Sequence, residues 1–440
     1  MNPMRFSGQT ILVLGLGKSG LAAARLLSSQ GASVIAADNR PLADLPAVNN
    51  SVQNSEIFLV PESEVNLSGL SRLVVSPGVP LDRPLLAEAR RRGIPILGEV
   101  ELAFEFLRGP IIAITGSNGK TTTTALVGHI LQQAGIDCQV GGNIGLPVTA
   151  MIDSSRFTRW NVLELSSFQL ETVDRFHAQI AAVLNVTPNH LDRHGAFDAY
   201  AAAKGRIFRN QRSADWAVLN AANPTSAAYA PSTPASIARF CGESASLHDG
   251  TIQVFGQTLM PLSDIPLPGA HNQQNVMAAA LISSLAGVSH SAIASAVSSF
   301  RGVPHRLEFI RELRGVRFYN DSKATSVDAT LKALEALPGP LWVILGGLGK
   351  GASYSPLLPQ LRAKAKAALL IGAAAAGIAH DLEGHLPLEL SLTLDNALAS
   401  AFRQAQPGDS ILLAPACASF DQFLSFEHRG DTFRQLVENL

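Results

Sequence analysis

The run Ile111-Ile112-Ala113-Ile114-Thr115-Gly116-Ser117-Asn118-Gly119-Lys120-Thr121-Thr122-Thr123 constrains this chain more than any other stretch. An apolar, β-branched segment stops at a Gly-rich turn, and Lys120-Thr121 then opens an Ala/Leu/Val-rich segment that reads as a helix. Strand, loop and helix in that order commit the surrounding sequence to an α/β domain with a phosphate-binding loop. Glycines let backbone N–H groups close around phosphate oxygens, and the helix N-terminus adds partial positive charge. Lys120 is placed to reach the β/γ-phosphates and Thr121 to offer its hydroxyl to Mg²⁺. Ile114 stands where the G-x-x-x-x-G-K-[ST] pattern has its first glycine, so the loop is a shorter variant. Gly116, Ser117, Asn118, Gly119, Lys120, Thr121 and Thr122 are the expected contacts, and ATP is the expected ligand.

A chain of 440 residues predicts two to four domains. Its 47% hydrophobic and 16% charged residues are those of an ordinary soluble α/β protein. A net charge of −1 gives no electrostatic case for nucleic acid or an anionic membrane. Cys138, Cys241 and Cys417 lie far apart and suit a reducing compartment. No signal peptide is read at the start, where Ile11–Leu16 has only a strand's length. The apolar stretch Ala367–Ala379 is too short to span a bilayer and divides into a strand and a small-residue helix. A cytoplasmic monomer is expected.

Residues 10–109 alternate strand and helix signals: Thr10–Leu14, a helix from Ser19 to Gln30, Ser33–Ala37, Leu73–Val75, a helix around Pro84–Arg92, and Ile94–Leu97. Such alternation implies a parallel sheet with helices on its faces. Gly109-Pro110 punctuates, and Arg301-Gly302-Val303-Pro304 reads as a second linker. The expected organisation is 1–109, 110–303 and 304–440, each α/β.

Other motifs lie at strand ends. Gly15-Leu16-Gly17-Lys18-Ser19-Gly20 is a G-x-G-x-x-G between a strand and a helix, and Asp38 ends the next strand. The pattern fits NAD(P), another nucleotide or a structural turn, and both functional readings put a diphosphate-sized anion at this helix start. Ser76-Pro77-Gly78 borders the same crevice. Glu164 ends a strand beside the phosphate loop, where a Mg²⁺ carboxylate belongs. Asn185–His194 packs His190, Asp192 and His194 into one loop. Lys204 reads as a solvated helix lysine. In the third unit Asp321–Thr325, Gly346–Lys350 and Ala414–Asp421 bring cations and hydroxyls to strand ends, which suits a carboxylate-bearing substrate.

Taken in order, Thr115-Gly-Ser-Asn-Gly-Lys-Thr121, Gly142-Asn143-Ile144-Gly145, Leu163-Glu-Leu-Ser-Ser-Phe-Gln-Leu-Glu171, Asn185-Val-Thr-Pro-Asn-His-Leu-Asp192, Pro304-His-Arg306, Asp321-Ser-Lys-Ala-Thr325 and Pro415-Ala-Cys-Ala-Ser-Phe-Asp421 resemble the Mur ligases of peptidoglycan synthesis. The resemblance spans the chain. The run around Glu164, the Asp321 segment and the Pro415 segment point to members that join D-glutamate to UDP-N-acetylmuramoyl-L-alanine. It implies an N-terminal Rossmann-like domain, a central ATPase domain and a C-terminal Rossmann-like domain. The G-x-G-x-x-G then belongs to a UDP pocket, with Lys18, Ser19, Asp38, Asn39, Arg40, Ser76 and Gly78 lining it and Asn143 touching the same substrate.

The implied reaction is ATP-driven amide formation through an acyl phosphate, with Lys120, Glu164, His190 and Lys204 as its machinery. Two Mg²⁺ ions are implied, one on Thr121 and Glu164, the other on His190 and Lys204. An ammonium is no Mg²⁺ ligand, so the family's carbamylated lysine is implied at Lys204. Asn272, Arg306 and Asp321 are implied at the nucleotide, with His305 nearby. Lys323, Thr325, Lys350, Ser419 and Phe426 are implied at D-glutamate. Relatives often carry an acidic residue before the glycine or lysine of Gly-Gly-x-x-Lys, where this chain has Leu348 and Gly349. An NAD-dependent oxidoreductase leaves the phosphate loop, Glu164 and His190 without a role. A nucleotide-gated binding protein predicts ATP binding without substrate-dependent phosphate release.

Overall fold

A computed structural model describes residues 4–41, 56–267 and 269–440. Three sheets organise the chain, one to a domain. The N-terminal sheet comprises β1 (Thr10–Leu14), β2 (Ser33–Asp38), β3 (Ile57–Pro61), β4 (Leu70–Val75) and β5 (Ile96–Gly98), in the order β3-β2-β1-β4-β5. All its pairings are parallel, with Leu12 opposite Ile35 on one side and Leu73 on the other. The chain moves outward from β1 in both directions. The turns after β1 and β4 therefore face one crevice, the position where open α/β sheets bind ligands.

The central sheet holds β6 (Ile111–Thr115), β7 (Cys138–Gly142), β8 (Trp160–Glu164), β9 (Ile180–Val183), β10 (Trp216–Asn220), β11 (Ser236–Phe240), β12 (Ala245–His248), β13 (Thr251–Val254) and β14 (Gln257–Pro261). Their order is β14-β13-β12-β11-β10-β9-β6-β8-β7. β6 is buried at every position, as a parallel strand covered on both faces must be. Its neighbours β8 and β9 are parallel to it, so three strand ends deliver the phosphate loop, Glu164 and the Asn185 loop to one edge. The last three strands form an antiparallel meander.

The C-terminal sheet contains β15 (Glu308–Leu313), β16 (Val316–Asn320), β17 (Leu341–Gly346), β18 (Ala365–Ile371), β19 (Leu388–Leu392) and β20 (Ser410–Leu413), ordered β15-β16-β20-β17-β18-β19. Only β15 is antiparallel. Apolar clusters pack on both faces, one around Leu345 and Leu370, the other around Ile344 and Leu369. The alternation of adjacent residues between faces is the period-two rule of a strand. The apolar run expected to divide does so, into β18 and a helix at Ala375–Leu382.

The chain divides into two compact units. One comprises Met1–Asp264 with Gln273–Ser298, the other Ile265–Asn272 with Ser299–Leu440. No helix among the described residues is long and apolar enough to cross a membrane.

Candidate active site

The phosphate loop leaves β6 at Thr115 and enters the helix Lys120–Gln133. Gly119 caps that helix at φ +81°, and a Cβ there would run into the side chain of Asn275. Both facts require glycine. The loop is held from outside as well. Asn185 accepts the Asn118 N–H at 2.8 Å and donates to the Asn118 carbonyl at 3.1 Å. Ser117 Oγ donates to Thr187 O at 3.0 Å, receives the Thr187 N–H at 2.9 Å, and lies 2.9 Å from the Tyr200 hydroxyl. Sequence reasoning missed Tyr200 and Asn275, for neither stands in a motif.

Lys120 Nζ donates to the carbonyls of Gly116 and Ser117 at 2.9 and 3.0 Å. Lys204, expected as a solvated helix lysine from its residues alone, is 1% exposed. Its Nζ donates to Gly116 O at 2.8 Å and sits 4.7 Å from the Tyr200 ring centroid. Burial, reinforced by the charge of Lys120, brings its pKa down to about 6, against the attraction of Glu164. Desolvation penalises the ammonium and favours the uncharged amine.

Glu164 lies opposite Ile114 in the register and is 1% exposed. Asn143 Nδ2 donates to its Oε1 at 2.7 Å, while Oε2 is buried without a protein partner. An orphaned carboxylate oxygen is costly unless something binds it. Thr121 is buried in the first turn of the adjacent helix. His190 stands at the surface in a left-handed conformation, φ +52°. Partial burial of its ring lowers its pKa, opposed by Asp192 and aided by Lys120 and Lys204. Among the described residues no three His, Cys, Asp or Glu side chains converge on a metal position. The oxygen donors of Glu164 and Thr121 fit a hard cation there together with oxygens from outside the chain, such as those of a phosphate.

In the N-terminal crevice the helix Lys18–Ser29 begins after Gly17. A Cβ on Gly20 would strike the Gly15 carbonyl and Ser76 Oγ, so the third glycine allows the helix to pack on the turn. Ser76 Oγ donates to Gly15 O at 2.6 Å. Asp38 receives the Leu16 N–H at 2.7 Å and a two-pronged contact from Arg40, Nε to Oδ1 at 2.9 Å and Nη2 to Oδ2 at 3.0 Å. Lys18, Asn39 and Gly78 are exposed and Ser19 half-buried, at the same strand ends.

The second unit is organised around a residue that sequence reasoning passed over. Arg429, in the helix Phe426–Glu438, is fully buried. Its guanidinium donates to Ser322 Oγ and O, each at 2.9 Å, to Cys417 O at 3.1 Å, to Ala418 O at 3.3 Å and to Gly346 O at 3.4 Å. Three strand-end loops are thereby joined, those carrying Lys323 and Thr325, Lys350, and Ser419. Burial brings the guanidinium pKa down to about 10, still above neutrality. Lys350 Nζ donates to Thr325 Oγ1 at 3.4 Å, and Lys323 Nζ lies 5.7 Å from the Phe426 ring centroid. Ser419 is 2% exposed. Leu348, at the divergent position, is exposed and its backbone bridges Ala418.

Asn272 is buried at the start of the helix Ala270–Leu285. Burial raises the Asp321 carboxyl to about 6, countered by the Leu307 N–H and by Arg306 and Lys323. Arg306 Nε is buried without a hydrogen-bond partner. His305 Nδ1 lies 3.1 Å from Asn320 Nδ2, and its backbone carbonyl accepts the Lys323 N–H at 3.0 Å.

Fold and loop together define a three-domain α/β protein with a phosphate-binding loop in its central sheet. Three family models match: the MurD-like N-terminal domain at residues 9–98, the Mur ligase middle domain at 114–283, and the Mur ligase glutamate ligase domain at 305–417. The UDP-N-acetylmuramoylalanine–D-glutamate ligase of Solibacter usitatus is 56% identical over 447 residues, covering 99% of each chain. The enzyme of that name from Geobacillus kaustophilus is 42% identical over 456 residues, covering 100% of each. The chain belongs to the Mur ligase family. Two solved structures share its fold: UDP-N-acetylmuramate-alanine ligase MurC from Thermotoga maritima, at 19% identity and TM-score 0.61, covering 98% of this chain and 99% of that one, and the ADP complex of MurF ligase from the same organism, at 16% identity and TM-score 0.59, covering 100% and 97%.

Proposed function

We propose that this protein is an ATP-dependent ligase that joins D-glutamate to UDP-N-acetylmuramoyl-L-alanine in a cytoplasmic step of peptidoglycan synthesis. The observation that carries this reading is the 56% identity, over 99% of both chains, to the ligase of that name. The L-alanine carboxylate attacks the γ-phosphate of ATP, ADP leaves, and an acyl phosphate forms. The amine of D-glutamate then attacks the carbonyl, and inorganic phosphate departs as the amide forms.

Lys120 neutralises charge on the transferring phosphoryl group, and the backbone N–H groups from Gly116 to Thr122 cradle the phosphates. Mg²⁺, of which we propose two ions, would supply further neutralisation of the phosphate oxygens. Thr121 and Glu164 would hold one ion, and the orphaned Oε2 of Glu164 supports that assignment. His190 and carbamylated Lys204 would hold the other. An uncharged Lys204 amine can add to CO₂, giving a carbamate with loss of one proton, and its burial supports this modification.

Lys18, Ser19, Asp38, Asn39, Arg40, Ser76, Gly78 and Asn143 are assigned to the sugar nucleotide. Asn272, Arg306 and Asp321 are assigned to ATP, which the partnerless Nε of Arg306 supports. Lys323, Thr325, Lys350, Ser419 and Phe426 are assigned to D-glutamate. The domain limits 1–109, 110–303 and 304–440 and a monomeric state complete the reading.

The test is phosphate release from ATP and Mg²⁺ with UDP-N-acetylmuramoyl-L-alanine and, in turn, D-glutamate, L-glutamate, L-lysine, meso-diaminopimelate or no amino acid. Release requiring both the sugar nucleotide and D-glutamate is expected. Preference for another amino acid moves the protein within its family, and preference for L-glutamate on a folate overturns the reading.

A further inference from the structure

The segment after Glu164 and the short helix Leu191–His194 are tied by contacts that the chemistry above leaves unused. Glu171 Oε2 accepts from Arg193 Nη2 at 2.9 Å, and Glu171 Oε1 lies 3.2 Å from His194 Nδ1. On its other side His194 Nε2 meets Ser167 Oγ at 3.0 Å. The Phe168 ring is surrounded by the same groups. His194 stacks on it with centroids 5.5 Å apart and planes at 26°, the Arg193 guanidinium lies 5.1 Å from its centroid, and the His190 ring lies 5.0 Å away.

Arg193 Nη2 also donates to the carbonyl of Val79 at 2.8 Å. Val79 belongs to the turn after β4, where its N–H bonds Ser76 O at 3.0 Å and Ser76 in turn bonds Gly15. A continuous set of contacts therefore runs from the Gly15 turn to His190. Ser167, His194 and Glu171 also stand in the order of a nucleophile, a base and an acid. Ser167 is 2% exposed and the His194 side chain 3%, so no acyl group reaches the hydroxyl. The row can hold position but cannot turn over.

The side chains of Arg193 and Glu171 are 14% and 16% exposed. Taking two charges out of water offsets much of what their pairing returns, so the pair contributes geometry more than stability. We infer that Arg193, Glu171 and His194 are positioning residues that hold the His190 loop in register with the Val79 turn, so that seating the diphosphate and placing His190 are coupled. This rests on the reading of the N-terminal crevice as the sugar-nucleotide site and of His190 as part of the reaction centre. Groups that orient a ligand are individually worth roughly 10–100-fold when removed.

Two measurements on the full chain test it. The first is steady-state phosphate release by wild type, Arg193→Gln, Arg193→Lys and Glu171→Gln. In Arg193→Gln, kcat falls roughly 10–100-fold, the KM for the sugar nucleotide rises, and the KM for D-glutamate holds. Arg193→Lys, which keeps the charge with fewer donors, recovers part of the loss. The second is hydrogen exchange of residues 187–194 with and without UDP. UDP slows exchange there in wild type and not in Arg193→Gln, as reciprocal linkage demands.

A proportional loss of active protein with every KM unchanged, or UDP protection that survives in Arg193→Gln, overturns the inference. If UDP fails to bind wild type, or wild type fails to release phosphate with both substrates, the functional reading itself falls and takes the inference with it. These failures show in the wild-type controls, before any variant is compared.

Discussion

Lys120 and Lys204 donate to the same acceptor, the carbonyl of Gly116, at 2.9 and 2.8 Å. They arrive from different elements, one from the helix that opens the phosphate loop and one from the helix Phe197–Gly205. Burial disfavours the Lys204 ammonium most, and the neighbouring Lys120 charge adds to that, so the Lys204 pKa falls to about 6.

Lys120→Ala removes the cation at the transferring phosphate. Turnover is expected to fall by roughly 100-fold or more, with the melting temperature little changed because Lys120 is only half-buried. Single-turnover phosphate release checks this, and near-normal turnover would refute the role.

Lys204→Ala is expected to lose activity that added bicarbonate or a short-chain carboxylate partly restores. Small carboxylates can enter the space left by the side chain and present the oxygens that a carbamate would. Activity equal to wild type without additive would exclude a carbamate function.

Asp38 provides a pH test. Burial raises its carboxyl pKa, but the hydrogen bonds from Arg40 and Leu16 prevail and bring it to about 2. Because the folded value lies below the unfolded one of about 3.9, its contribution is fully present above pH ~4 and is lost as pH falls toward ~2. Allowing for solvent around the half-exposed Arg40, the contribution is on the order of 1–2 kcal/mol. Urea unfolding of wild type and Asp38→Asn between pH 6 and pH 3 should show the two converging at the acid end. A constant difference would exclude the linkage.

Arg429→Met takes a donor from four carbonyls and a hydroxyl in the second unit, of which the Ala418 carbonyl keeps the Leu348 N–H. A loss of about 3 kcal/mol or more is expected. Arg429→Lys, which supplies fewer donors, should fold and raise the KM for D-glutamate more than that for ATP. Equal changes in both constants would show that the loops joined by Arg429 do not form the amino-acid pocket.

Strands flanked by glycine, such as β1, β6 and β17, were legible because a buried parallel strand is a short unbroken apolar run. Among the edge strands β5 was legible too, but β7 and β3 were not: β7 reads Cys-Gln-Val-Gly-Gly and has no apolar run, while the apolar run Ile-Phe-Leu-Val of β3 was passed over. Among site residues, those in Gly-rich turns and at the ends of apolar runs could be found because backbone geometry dictates the residue type there.

What the sequence by itself determined is the class of fold, the phosphate loop with Lys120 and Thr121, and the placing of Glu164 and His190 at strand ends, since these follow from local patterns of a dozen residues. Tertiary structure alone decided that Lys204 is a buried amine, that Arg429 joins three loops, and that Arg193 reaches Val79 across 114 residues of chain. Those properties depend on which water is excluded and which distant carbonyl comes within 3 Å, and no stretch of neighbouring residues encodes either.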